Sequence, residues 1–143
     1  MLVALGCVSE ATEEGIAFVP LVADAGSAGV MCGDAPCTHR ALVDGQEGLA
    51  AELFLQDAGF HQGLNDFVIR LLPETGTDDW SLDQVSALMP SHSHQSEASR
   101  IVRSNQGYLV EGLALIMPGQ WQVTLLAGHQ QREQSLTFAI DVQ

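Results

Sequence analysis

GYLVEGLALIMPGQWQVTLL, residues 107–126, alternates apolar and polar side chains on both sides of a Met-Pro-Gly break. Before the break, Leu109, Leu113, Leu115 and Met117 are expected on one face, opposite Tyr108, Val110 and Ile116. After it, Trp121, Val123 and Leu125 alternate with Gln122 and Thr124. A period of two sends successive side chains to opposite faces of a strand, whereas a helix would scatter them around its circumference. The segment therefore predicts two strands joined as a hairpin across Pro118 and Gly119.

The same pattern recurs on either side. In LAAELFLQD, from residue 49, one face carries Leu49, Leu53 and Leu55; in NDFVIRLL, from residue 65, Phe67, Ile69 and Leu71 line up opposite Asp66 and Arg70. QVSALM sets Val85, Ala87 and Met89 on one side, and this strand, like the one through Met117, is expected to end at its Met-Pro. SLTFAIDV closes the chain with Leu136, Phe138, Ile140 and Val142 alternating with Thr137, Ala139 and Asp141. Between these runs lie AGFHQGLN and GHQQREQ, which have the composition of loops and turns. Short alternating strands at regular spacing are the signature of an all-β antiparallel sandwich, here over residues 48–143.

Residues 8–47 differ. One apolar run, IAFVPLV, is followed by small residues, and the segment reads as an irregular N-terminal extension of one or two short strands, with Pro20 suited to an edge. Within it, MCGDAPCTH places Cys32 and Cys37 around Gly33 and Pro36, a spacer that can turn back on itself. A small disulfide is the favoured reading; a reduced metal site of Cys32, Cys37 and His39 is the alternative, although zinc sites ordinarily take four ligands and no second cysteine pair exists. Residues 1–7, MLVALGC, look like the end of a bacterial lipoprotein signal, in which Cys7 would be acylated. Against that reading, Ala4 stands where leucine is usual, a basic start is missing and the apolar run is short; either the start lies upstream or the run is chance.

Composition narrows the function classes. The chain of 143 residues is 46% hydrophobic and 16% charged, the balance of one folded domain. Eighteen acidic side chains stand against five arginines and no lysine, a formal charge of −13. Such a field repels nucleic acid and anionic lipid and concentrates cations and basic partners, although a solvated acidic surface is the favoured account of the charge. Contact with a membrane is expected only through a lipid anchor, since no stretch reaches the ~18 apolar residues of a span.

The residues with the most pointed chemistry are in MPSHSH: Met89, His92 and His94, with Met117 of the second Met-Pro. Two histidines two apart in an extended segment point the same way and can converge on one ion. Thioether and imidazole together suit copper, whereas calcium and magnesium take oxygen. The competing reading makes Met89 and Met117 gap-filling core residues and His92 and His94 solvated loop residues, with no cofactor at all. His61 and His129 would join the set only if their loops share its end of the sandwich. Catalysis is not expected: the chain has no G-x-S-x-G elbow, phosphate-binding glycine loop or H-E-x-x-H pair, and Ser91 or Ser93 beside a histidine does not make a triad. Asp78 and Asp79 read as a solvated turn before Trp80.

The stretch from GLNDFVIRLL through MPSHSH, with NQGYLVEGLALIMPGQWQVTLL, resembles the YtkA-like domain family, itself similar to the periplasmic part of FixH. The resemblance covers residues 48–143 and rests on the Gly63–Asn65 strand entry, on Met89 to His94, and on Gly107, Tyr108, Met117, Pro118, Gly119 and Trp121. It implies an immunoglobulin-like sandwich in the bacterial periplasm or cell envelope, associated by analogy with copper handling or with cytochrome oxidase maturation, and hence an envelope metalloprotein or oxidase-assembly protein as partner. Many relatives have Met-Gly-His after the first Met-Pro. Ser91 to His94 stand there in this chain, exchanging a methionine for histidine and favouring a mixed or Cu(II) site. A non-enzymatic sandwich that docks to another envelope protein without metal is the alternative.

Overall fold

A computed structural model describes residues 21–23, 29–45, 48–56, 59–74 and 79–143; the expectations for Cys7, Pro20 and Asp78 concern residues outside these. The described residues form ten strands: β1 (Val22–Ala23), β2 (His39–Val43), β3 (Leu49–Leu55), β4 (Gly63–Pro73), β5 (Ser81–Met89), β6 (His94–Glu97), β7 (Arg100–Ser104), β8 (Gly107–Leu115), β9 (Gly119–His129) and β10 (Arg132–Val142). All pairings are antiparallel, in two sheets ordered β1-β2-β3-β4-β8-β7 and β10-β9-β5-β6. The chain is an all-β sandwich, with β5 and β6 packed over β8. β2, from the segment before residue 48, pairs along its length with β3 and adds Ala41 and Val43 to the core.

The inward rows are those the alternation marks out. Leu49, Ala51, Leu53 and Leu55 of β3, Val85, Ala87 and Met89 of β5, Trp121, Val123 and Leu125 of β9, and Leu136, Phe138 and Val142 of β10 are all buried in one continuous cluster. Burying a large aliphatic or aromatic side chain contributes about 1.5–3 kcal/mol, so these rows dominate the drive to fold.

One expected row breaks. In the β4–β8 pairing, Asn65 is opposite Leu113 but Phe67 is opposite Val110, so Glu111 and Gly112 together face Asp66. This is a β-bulge: the extra residue shifts the alternation by one, and Tyr108 and Val110 point inward together with Leu113 and Leu115. Leu109, expected beside Leu113, instead faces outward. Gly112 takes φ 74°, the left-handed conformation open to glycine, and its N–H donates to Asp66 Oδ1 at 2.9 Å. β8 also stops at Leu115, so Met117 lies in the following turn and does not end the strand, and the expected hairpin across Pro118 and Gly119 does not form: β8 and β9 belong to different sheets, so this turn carries the chain from one to the other.

Leu109 packs with Phe54 and Val68 on the outer face of the larger sheet, where Val30, Cys32 and Cys37 cover them as a second small core. Cys32 and Cys37 are joined in a disulfide, and their loop is also closed by Cys37 N–H donating to the Val30 carbonyl at 2.8 Å. A loop this short implies about 2 kcal/mol of stabilisation from chain entropy. Replacing both cysteines by serine is expected to remove roughly that amount and to speed amide exchange at residues 30–37 while β5, β9 and β10 stay protected. Equal exchange across both sheets in variant and parent would contradict this division of the core.

Candidate metal centre

The β5–β6 hairpin builds the cluster. Met89 and His94 are the last cross-strand pair before the turn Pro90–Ser93, and directly opposite residues of an antiparallel pair project from the same face. Met89 points into the core at 2% exposure, so His94, half-buried, stands beside it on the inward side of an edge strand. Proline at the second turn position has its φ preset, and His92 N–H donates to the Met89 carbonyl at 3.2 Å. Ser93 then takes φ 56°. A turn followed by one left-handed residue is a common way to close a hairpin, though that residue is more often glycine or asparagine.

The result is that the imidazoles of His92 and His94 lie parallel, 5.9 Å between ring centres and 6° between planes. The two rings do come together, but not by the extended alternation expected from their spacing. Ser93 turns the backbone between them, and a two-residue step along a regular strand plays no part. An ion about 2.0–2.1 Å from each ring nitrogen, with ring centres about 1.1 Å further out, allows at most roughly 6.3 Å between centres. The observed spacing lies inside that limit. An ion is bound in the plane of each ring, however, and two rings 6° from parallel share one only when they are also coplanar, so the spacing by itself does not build a chelate. Ser91 Oγ is 2.9 Å from His92 Nδ1, so one edge of this exposed ring is held and Nε2 is turned away from it.

Met89 faces the core from the position paired with His94. Its methyl group lies where a side chain on Gly119 would be, with a Cβ there coming within 2.8 Å of Met89 Cε; the methionine end can move, and it is the φ of 127° that favours glycine at this position. This contact sets Gly119, at the start of β9 and two residues after Met117, against the last core residue of β5. Met117 is half-buried against the core, and its carbonyl accepts from Trp121 Nε1 at 3.0 Å. Trp121 itself is fully buried, so the turn is anchored from within.

Of the other histidines, His61 belongs to this end. Asn65, buried at 3% exposure, clamps its backbone on both sides, accepting from His61 N–H at 3.0 Å and donating to the His61 carbonyl at 2.8 Å. The neighbouring Gln62 side chain donates to the Ile116 carbonyl at 3.0 Å. His129 does not belong to it. It ends β9, whose start is Gly119, and ten residues of strand place it about 33 Å away. There it packs on Trp80 with Nδ1 3.0 Å from the Asp79 carbonyl, and Asp79 pairs with Arg103 at 3.3 Å. The alternative site of Cys32, Cys37 and His39 is overturned by the disulfide, which leaves no thiolate to bind an ion.

Among the described residues no three His, Cys, Asp or Glu side chains converge to hold a metal, so any site here rests on the two imidazoles, with Met89 paired to His94 across the hairpin. Ser91 is the member that residue-type reasoning passed over; its adjacency to His92 was the available signal. No family model, curated protein or solved structure matches the chain.

Proposed function

We propose that this domain is a non-catalytic, cell-envelope copper-binding module. His92 and His94 are the outer ligands, Met89 is the floor, Met117 comes from the adjoining turn, and the ion is passed to a partner metalloprotein or oxidase-assembly protein. The observation that carries this reading is the parallel pair of imidazoles on a hairpin whose closing residue is a methionine. Imidazole nitrogen and thioether sulfur form a donor set for copper in either oxidation state. A ligand pair of one exposed and one half-buried imidazole leaves positions open, as transfer to a partner requires. The disulfide suits an oxidising compartment, and the formal charge of −13 raises the local concentration of cations.

A second reading has its own support. Leu64 and Ile116, at 67% and 54% exposure, lie at the same end of the sandwich, and such side chains suit docking to another envelope protein without metal. Metal analysis after exposure to equimolar copper and zinc separates the two. About one copper per chain, retained through gel filtration, is expected for the copper module; retention of neither metal leaves the docking reading, and a preference for zinc removes the copper assignment.

A further inference from the structure

The copper reading above leaves open which nitrogen of His92 would face the ion, and the hairpin answers it. Ser91 is exposed and its hydroxyl oxygen is 2.9 Å from His92 Nδ1. Pro90 limits the backbone before Ser91, the His92 N–H bond to the Met89 carbonyl closes the turn after it, and Ser93 is in the left-handed region. The serine oxygen thus sits on a constrained turn. Ligating histidines commonly have their second nitrogen held by an outer group that sets tautomer and ring orientation, and loss of that group weakens binding about 10–100-fold. A hydroxyl can fill this role because it accepts as well as donates.

We infer that Ser91 is a positioning residue for the metal centre: its oxygen accepts a hydrogen bond from Nδ1–H of His92, holding the ring so that Nε2 carries the lone pair offered to a copper or zinc ion. The inference rests on the copper reading for its ligand, and its own content is the tautomer and the role of one hydroxyl. Ser91 touches no ion and acts only through the imidazole. His94 has no such neighbour, because residue 93 is in the left-handed conformation and its hydroxyl makes no hydrogen bond to either ring among the described residues.

The test compares the parent chain with Ser91→Ala and Ser91→Thr in competitive Cu(II) titration, alongside nitrogen NMR of the imidazoles before metal is added. Ser91→Ala is expected to weaken Cu(II) binding about tenfold and to shift the metal-free His92 ring away from the Nδ1–H tautomer. Threonine keeps the hydroxyl and restores both. Ser91→Ala binding as tightly as the parent overturns the inference while leaving the copper centre standing. A threonine variant as weak as alanine also overturns it, since the hydroxyl is then not the cause. A parent chain that takes up no Cu(II) removes the copper reading and this inference together.

Discussion

Met89→Ala is expected to destabilise the domain by about 3 kcal/mol, within the range for truncating a fully buried methionine. Met89 is 2% exposed, belongs to the continuous core and fills the space against Gly119, so its removal leaves a cavity between the hairpin end and the β8–β9 turn. The glycine cannot close that gap, having no side chain to move. Denaturant midpoints with an unchanged slope measure the loss. Met89→Leu conserves volume approximately and is expected to change stability by under about 1.5 kcal/mol. The pair of variants separates packing from ligation. Leucine keeps the floor but removes the sulfur, so Cu(II) held by the imidazoles should bind nearly as before while Cu(I), which prefers thioether, binds more weakly. A Met89→Ala variant as stable as the parent would show that this side chain is not the core element described. Equal Cu(I) affinity in parent and leucine variant would take Met89 out of the ligand set.

The strands are legible in the sequence because burial repeats along them, whereas the arrangement of side chains at the hairpin turn is not a matter of period. The rows Leu49–Leu53–Leu55, Val85–Ala87–Met89 and Trp121–Val123–Leu125 keep a strict period of two, and a half-buried strand has no other way to satisfy such a pattern. Leu109 departs from its expected face because a bulge inserts one residue without disturbing composition. Glycine after glutamate at 111–112 is compatible with an unbroken strand, and only the pairing with Asp66 shows that it is not. Phe54 and Val68 likewise give no hint that a disulfide loop covers them, since that depends on a segment distant in the chain. Strand order is set by tertiary packing, which is why the opposite placements of His61 and His129 could not be told apart from their surrounding residues. Spacing alone suggests that the two imidazoles approach each other, and the left-handed Ser93 between them, which composition does not reveal, sets how they do so.

The double variant His92→Ala, His94→Ala is expected to lose copper binding by at least about 100-fold, the largest functional effect in the molecule, and to leave stability nearly unchanged. Metal affinity depends steeply on ligand number, and removing both imidazoles leaves only the thioethers of buried Met89 and half-buried Met117. The fold should tolerate the change because His92 is exposed and His94 lies at the start of a four-residue edge strand, so substitutions there fall near the ±0.5 kcal/mol of ordinary surface sites. Single variants should be intermediate, and their losses should not add, since each imidazole alone holds an ion weakly and the first removal already forfeits most of the affinity. Equilibrium titration with Cu(II), with thermal unfolding run in parallel, checks both halves. Undiminished binding by a folded double variant would place the ion elsewhere, and the stacked rings would then be a feature of the hairpin turn alone.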